Sequence, residues 1–248
     1  RLERDLDMAR RVQLRLMPPS PPKLDHAELA AKFYAARSIG GDVYDFLDYG
    51  PGRVALAVGD VSGKAAPAAL YAALVSGILR SLASQHLSPA ALLEALNDQL
   101  QERKLDSQYV TMLIALWDDS NQTIQIANAG SVQPLFVSIS SAGSRTQVDV
   151  KTIQAEGFPL GLFPDVQYEE FTFATRPGDL IVFFSDGIPD AENARGEMFG
   201  TDRLAKVLKS LRMPTAISAA DAILDAVTKF QSGTEHFDDE TVVVLSVK

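Results

Sequence analysis

The sequence predicts an α+β fold, a sandwich of sheets covered by helices. Strand-like stretches fall in two blocks, with helical pairs between and after them, and a regular alternation of strand and helix is missing. Of the 248 residues 46% are hydrophobic and 22% charged, enough apolar material for a sizeable core in one large domain or two small ones.

Leu2, Leu6, Ala9, Gln13 and Leu16 are spaced four, three, four and three, a heptad-like seam among charged residues. A single amphipathic helix lying on the domain satisfies that spacing, and so does the continuation of a coiled coil from an upstream domain. Met17-Pro18-Pro19-Ser20-Pro21-Pro22 stops the helix, because proline disfavours helix in the residue before it and donates no backbone hydrogen bond. Residues 1–22 are thus a helix and stiff hinge, and 23–248 one domain without a further boundary.

Within that domain, Ala27–Ala36, Val43–Tyr49 and Val54–Asp60 read as strands, turned at Gly40-Gly41 and at Tyr49-Gly50-Pro51-Gly52. The period then changes. Lys64–Ala83 is rich in Ala and Leu, and Ser88-Pro89 starts a second helix running to about Lys104, giving an antiparallel pair. Val110–Trp117, Thr123–Ala127 and Pro134–Val137 return to strands, with Asp118-Asp119-Ser120-Asn121 as a turn. Ser138–Thr146 is small and polar and reads as a loop or hairpin tip. Gln147–Thr152, Glu169–Phe173 and Leu180–Phe184 continue as strands, helices follow near Thr201–Leu211 and Thr215–Gln231, and Thr241–Val247 closes as a strand.

Composition removes several function classes. A net charge of −9 argues against general binding to nucleic-acid phosphates. Absence of cysteine excludes disulfides, thiolate zinc sites and a cysteine nucleophile, and fits a reducing cytoplasm. His26, His86 and His236 show no ligand spacing. Apolar runs such as Leu180–Phe184 and Val242–Leu245 fall far short of the ~20 residues of a membrane span, and no signal-peptide pattern opens the chain. Arg1 stands where a complete chain would carry Met and helical sequence begins at once, so a longer parent protein is expected.

Four aspartate clusters lie where strands stop: Gly40-Gly41-Asp42, Gly59-Asp60-Val61-Ser62-Gly63, Ser185-Asp186-Gly187 and Asp238-Asp239-Glu240-Thr241. Carboxylates delivered by separate strand ends, with glycines letting the backbone turn beside them, build oxygen cages for hard divalent cations. One Asp-Gly alone is an ordinary turn or cap; the set is what points to metal-assisted chemistry. Other motifs fail. Gly59 to Lys64 has three residues between its glycines and Ala65 after the lysine, so it is no P-loop. An aspartyl-phosphate nucleophile would stand at position 184, which is Phe184, and no Gly-x-Ser-x-Gly elbow is present.

The set resembles the metal-dependent protein phosphatase (PP2C-like) superfamily, and within it the bacterial stage II sporulation protein E-like and sigma-regulator phosphatases. Gly40–Phe46, Gly59–Lys64, Asn128-Ala129-Gly130, Pro177-Gly178-Asp179, Ser185-Asp186-Gly187, Gly196–Gly200 and Asp238–Thr241 occur in family order. The resemblance implies a central β-sandwich of two mainly antiparallel sheets flanked by helices, with two Mn²⁺ or Mg²⁺ ions at one end. It implies that Asp60 bridges the ions and the Val61 carbonyl ligates one. Asp186 and Asp238 would hold the other, Asp42 would bind directly or through water, and Asp239 would support them. Asp190 matches an outer acidic position, equally served by a helix-capping aspartate, and Arg37 matches a phosphate-gripping arginine. Ser131 and Ala65 depart from the family pattern, which commonly has His and Gly there.

The implied activity is hydrolysis of phosphoserine or phosphothreonine on a bacterial signalling protein, such as an anti-sigma factor antagonist, by a metal-activated water and without a phosphoenzyme. The alternative is a non-catalytic binding module that keeps the fold and holds a partner. Similar proteins join the N-terminal helix to an upstream sensor domain, so dimerisation through that helix and control of the phosphatase are further expectations.

Overall fold

In a computed structural model of the chain, residues 2–36, 39–103, 108–142 and 145–248 are described. Two five-stranded antiparallel sheets pack face to face. One has the strand order β1 (Ala27–Tyr34), β10 (Glu240–Val247), β9 (Leu180–Phe184), β6 (Leu135–Ala142) and β7 (Arg145–Thr152). The other runs β2 (Asp42–Asp48), β3 (Arg53–Val61), β4 (Val110–Asp118), β5 (Thr123–Ala129) and β8 (Phe171–Ala174). The expected sandwich is therefore present, and its first and last strands pair, Ala27 opposite Val247.

Both faces of each sheet are covered. Alternate residues of β3 split accordingly: Val54, Leu56 and Val58 enter the inter-sheet core with Trp117, Phe183 and Leu245, whereas Ala55 and Ala57 face α2 (Ala65–Ala83) and α3 (Pro89–Glu102). On the opposite side Val182, Phe184, Val242 and Val244 pack against α4 (Gly200–Ser210) and α5 (Ala216–Phe230). Burial on two faces explains why β9 and β10 read as unbroken apolar runs instead of alternating ones. Helix starts follow side-chain chemistry: Ser88 Oγ accepts from Ala91 N–H, and Thr215 with Ser218 forms a capping box.

Two readings need correction. Ser138–Thr146 is not simply a loop; β6 runs to Ala142 and β7 starts at Arg145, because Val137 and Ile139 stand opposite Val150 and Val148 and continue the apolar alternation. The apolar limit was also drawn too low, since α2, at 19 residues, is long and apolar enough by composition to cross a membrane. Its inner face, with Tyr71, Val75 and Leu79, is instead buried on the second sheet.

Helix α1 (Leu2–Leu16) touches the body near its C-terminal end, where Met17 is buried. Arg80 of α2 ties this junction together. Its Nη2 donates to the Leu16 carbonyl at 3.0 Å, while its Nε meets the buried carboxylate of Asp45 in β2 at 2.6 Å.

Candidate metal centre

The aspartates reach one end of the sandwich from both sheets. Asp42 and Asp60 are directly opposite in the β2–β3 ladder. Asp186 lies just past β9 and Asp238 just before β10, which are neighbours in the other sheet. Glycine permits the approach at two points. A Cβ on Gly41 would stand 2.7 Å from the Val61 carbonyl oxygen and 2.8 Å from Asp60 Oδ1, and one on Gly187 would stand 1.9 Å from the Asp239 carbonyl oxygen. Any side chain at either place would push the carboxylates apart.

Asp60 lines two small cavities. The first, of about 20 Å³, also has Gly41, Lys64, Asp238 and Asp239 in its wall. The second, of about 60 Å³, is walled by Thr111, Gly130, Ser131, Ser185 and Asp186. Each is on the scale of an ion or a few waters. A larger cavity of about 730 Å³ lies elsewhere, between the proline hinge and the β2–β3 hairpin.

The carboxylates at this end are buried and repel one another. Burial, then the charges of Asp186, Asp238 and Asp239, push the Asp60 carboxyl up to about 8. Burial and the Asp60 charge hold Asp42 well above the usual carboxylate range, against a hydrogen bond from Thr241. Burial raises Asp186 too, followed by Asp238 and Asp190. Asp186 Oδ1 is buried without a hydrogen-bond partner. An orphaned carboxylate oxygen among mutually repelling carboxylates is a donor set that suits hard divalent cations. Among the described residues no three such side chains are drawn into a closed ligand cluster as they stand. Like charges oppose that closure.

The neighbouring pair Asp238 and Asp239 differ in their engagements. Asp239 accepts from Ala36 N–H at 3.0 Å and Asp42 N–H at 3.5 Å, one carboxylate oxygen each, and so ties the start of β2 to β10. Asp238 accepts from the Asp239 N–H through Oδ1 at 3.0 Å. Asp190 stays exposed, its N–H on the Asp186 carbonyl at 2.9 Å. Arg37 lies outside the described residues.

Two further residues, Thr241 and Ser185, lie within the aspartate motifs and carry contacts of their own. Thr241 Oγ1 donates to Asp42 Oδ2, and Ser185 Oγ accepts from Thr241 N–H at 3.0 Å while donating to the Asp239 carbonyl. Their hydroxyls crosslink the two sheet ends, a role visible only once β2, β9 and β10 are placed together. Gln13 is the polar member of the heptad-like seam of α1. Its amide exchanges two hydrogen bonds with the backbone of Gly40, two residues from Asp42.

The profile of the Stage II sporulation protein E (SpoIIE) family matches residues 50–248. Phosphoserine phosphatase RsbU of Bacillus subtilis is 27% identical over 247 residues, covering 100% of this chain and 71% of its own length. The chain spans far less of other curated relatives, 41% of Protein IcfG from Synechocystis sp. and 24% of Stage II sporulation protein E from B. subtilis. Among solved structures, the SiaA-PP2C domain of Pseudomonas aeruginosa superposes with a TM-score of 0.83 at 20% identity, covering 100% of this chain and 97% of that one. RsbX, solved in complex with magnesium, shares the fold at a TM-score of 0.64 and 15% identity over 92% of this chain and 98% of its own. With four fifths of its length matched by one profile and its sandwich shared with PP2C domains, the chain belongs to the SpoIIE family.

Proposed function

We propose that this chain is a protein serine/threonine phosphatase domain, residues 23–248, that works with two Mn²⁺ or Mg²⁺ ions. The observation that carries this is Asp60 standing in the walls of two small cavities, with Asp238 beside one and the unpartnered Asp186 Oδ1 beside the other. Asp60 would bridge the ions, with the Val61 carbonyl on one, Asp186 and Asp238 on the other, and Asp42 directly or through water. When bound, the ions acidify the attacking water and neutralise the phosphoryl oxygens.

The chain's own residues prepare that arrangement. Thr241 and Ser185 orient Asp42 and the β10 head, Asp239 fastens the Gly40-Gly41-Asp42 turn, and the glycines keep the space between them open. Arg37 is proposed to grip the phosphoryl group bidentately. Phe184 stands where an aspartyl nucleophile would, so an aspartyl-phosphate route lacks its nucleophile, and attack by water requires no phosphoenzyme.

The substrate is a phosphoserine or phosphothreonine protein of bacterial, cytoplasmic signalling, such as an anti-sigma factor antagonist. Residues 1–22 carry control: α1 grips Gly40 through Gln13 and α2 through the Arg80 contact with Leu16, so rotation or pairing of α1, driven by an upstream sensor domain, would shift the Asp42 turn. Deleting residues 1–17 should then change turnover; unchanged turnover and oligomeric state reject this regulation. The phosphatase assignment is tested by phosphate release from a phosphoserine peptide with Mn²⁺. The parent should be active and Asp60→Ala and Asp186→Asn inactive; equal rates in all three reject it.

A further inference from the structure

We propose that Tyr109, Phe158 and Phe163 form a rigid apolar rim beside the phosphate-accepting end, which docks an apolar side chain flanking the phosphoserine of the protein substrate. The inference rests on the phosphatase reading and adds to it the kind of protein that the site selects. Phe158 is 61% exposed, Phe163 51% and Tyr109 38%. The two phenyl rings meet edge to face at 5.5 Å and 77°. A cluster of aromatic side chains held in water is a feature of interaction sites rather than of an inert surface.

The backbone beneath these rings is fixed from several sides. Tyr168 Oη donates to the Phe158 carbonyl at 2.9 Å, and Asn97 both donates to the Phe163 carbonyl at 3.0 Å and accepts from Gly161 N–H at 2.8 Å. Leu160 exchanges two backbone hydrogen bonds with Val110, at 3.0 and 2.7 Å. Rings on an immobile backbone lose little conformational entropy when a partner covers them, so more of the contact energy appears as affinity.

The rim adjoins the reaction site on two sides. Tyr109 exchanges backbone and side-chain bonds with Ser62, two residues beyond Asp60, at 2.9 and 2.8 Å. Pro159, next to Phe158, packs so closely on Gly130 that a Cβ there would stand 2.7 Å from Pro159 Cγ. Gly130 is itself part of the wall of the cavity shared by Asp60 and Asp186. A phosphoserine presented at the mouth of that cavity brings its neighbouring residues over this wall, which favours the substrate over a second copy of the chain as occupant. The chain's net charge of −9 does not attract an anionic phosphoseryl group at long range.

The test uses the full chain loaded with Mn²⁺ and three substrates: p-nitrophenyl phosphate, and two phosphoserine peptides of equal charge that differ only in carrying Leu or Ser on both sides of the phosphoserine. The parent should turn over the Leu peptide with a kcat/KM at least about fivefold higher, the scale of a good interface contact. A Phe158→Ser/Phe163→Ser double variant should treat both peptides alike and hydrolyse p-nitrophenyl phosphate at the parental rate, which also reports that it is folded. Equal turnover of the two peptides by the parent, or an undiminished Leu preference in the variant, overturns the rim. A sedimentation experiment in which the variant loses self-association while its peptide preference is unchanged assigns the patch to a second copy and overturns it equally. Inactivity of the parent toward all three substrates would reject the phosphatase reading itself, and the rim with it.

Discussion

Replacing Asp60 by Asn should make the metal-free protein more stable at pH 8, although it removes a residue of the proposed site. The Asp60 carboxyl is raised from 3.8 to about 8, by burial first and then by Asp186, Asp238 and Asp239. In the unfolded chain the group ionises near its ordinary value. Between those two values the folded state therefore keeps a proton that the unfolded state has released, and stability falls as pH rises, at about 1.4 kcal/mol per pH unit. The contribution is fully present below about pH 4 and lost by about pH 8, a total of about 6 kcal/mol, of which the neighbouring carboxylates share roughly half. An amide has no proton to lose, so the variant should gain about 3 kcal/mol on the parent at pH 8 and close to nothing at pH 4. Urea unfolding in EDTA at both pH values measures the difference. Adding Mn²⁺ should reverse the ranking at pH 8, since a cation bound only by the folded parent stabilises it by mass action. A variant no more stable than the parent at pH 8 in EDTA would refute the reasoning.

Three other outcomes are expected. Arg80→Met leaves the buried Asp45 carboxylate without its ion pair and should cost about 3 kcal/mol in urea unfolding, most of it restored when Asp45→Asn is added. Ala65, at φ +61°, holds a left-handed conformation, so Ala65→Gly should raise stability by about 1 kcal/mol and the Tm by a few degrees in calorimetry. Gly187→Ala would drive a methyl into the Asp239 carbonyl and should cost about 3 kcal/mol or more and weaken Mn²⁺ binding in titration calorimetry.

Most elements were legible because their signals are local. The α2–α3 pair showed its helical period and the Ser88-Pro89 start, and β9 and β10 their apolar runs. The β6–β7 hairpin was cut short because serines masked an alternation whose partner, Val148, lies across the turn. At the candidate site, the aspartates announced themselves by recurring beside glycine at strand ends. What could not be read was how Asp238 and Asp239 divide their work, because that depends on Ala36 and Asp42 arriving from far away in sequence. Thr241, Ser185 and Gln13 were hidden for the same reason: each acts on a strand or turn that only the tertiary fold brings near. Exposure of Phe158 and Phe163 is equally a property of packing.

The central claim is that Asp60 joins two ions at the end of the sandwich. Mn²⁺ stoichiometry, measured by titration calorimetry alongside phosphate release on the same preparations, tests it most directly. The parent should bind two ions and release phosphate, Asp186→Asn should lose an ion together with turnover, and Asp60→Ala should lose both. Full turnover and two bound ions in Asp60→Ala would contradict the account.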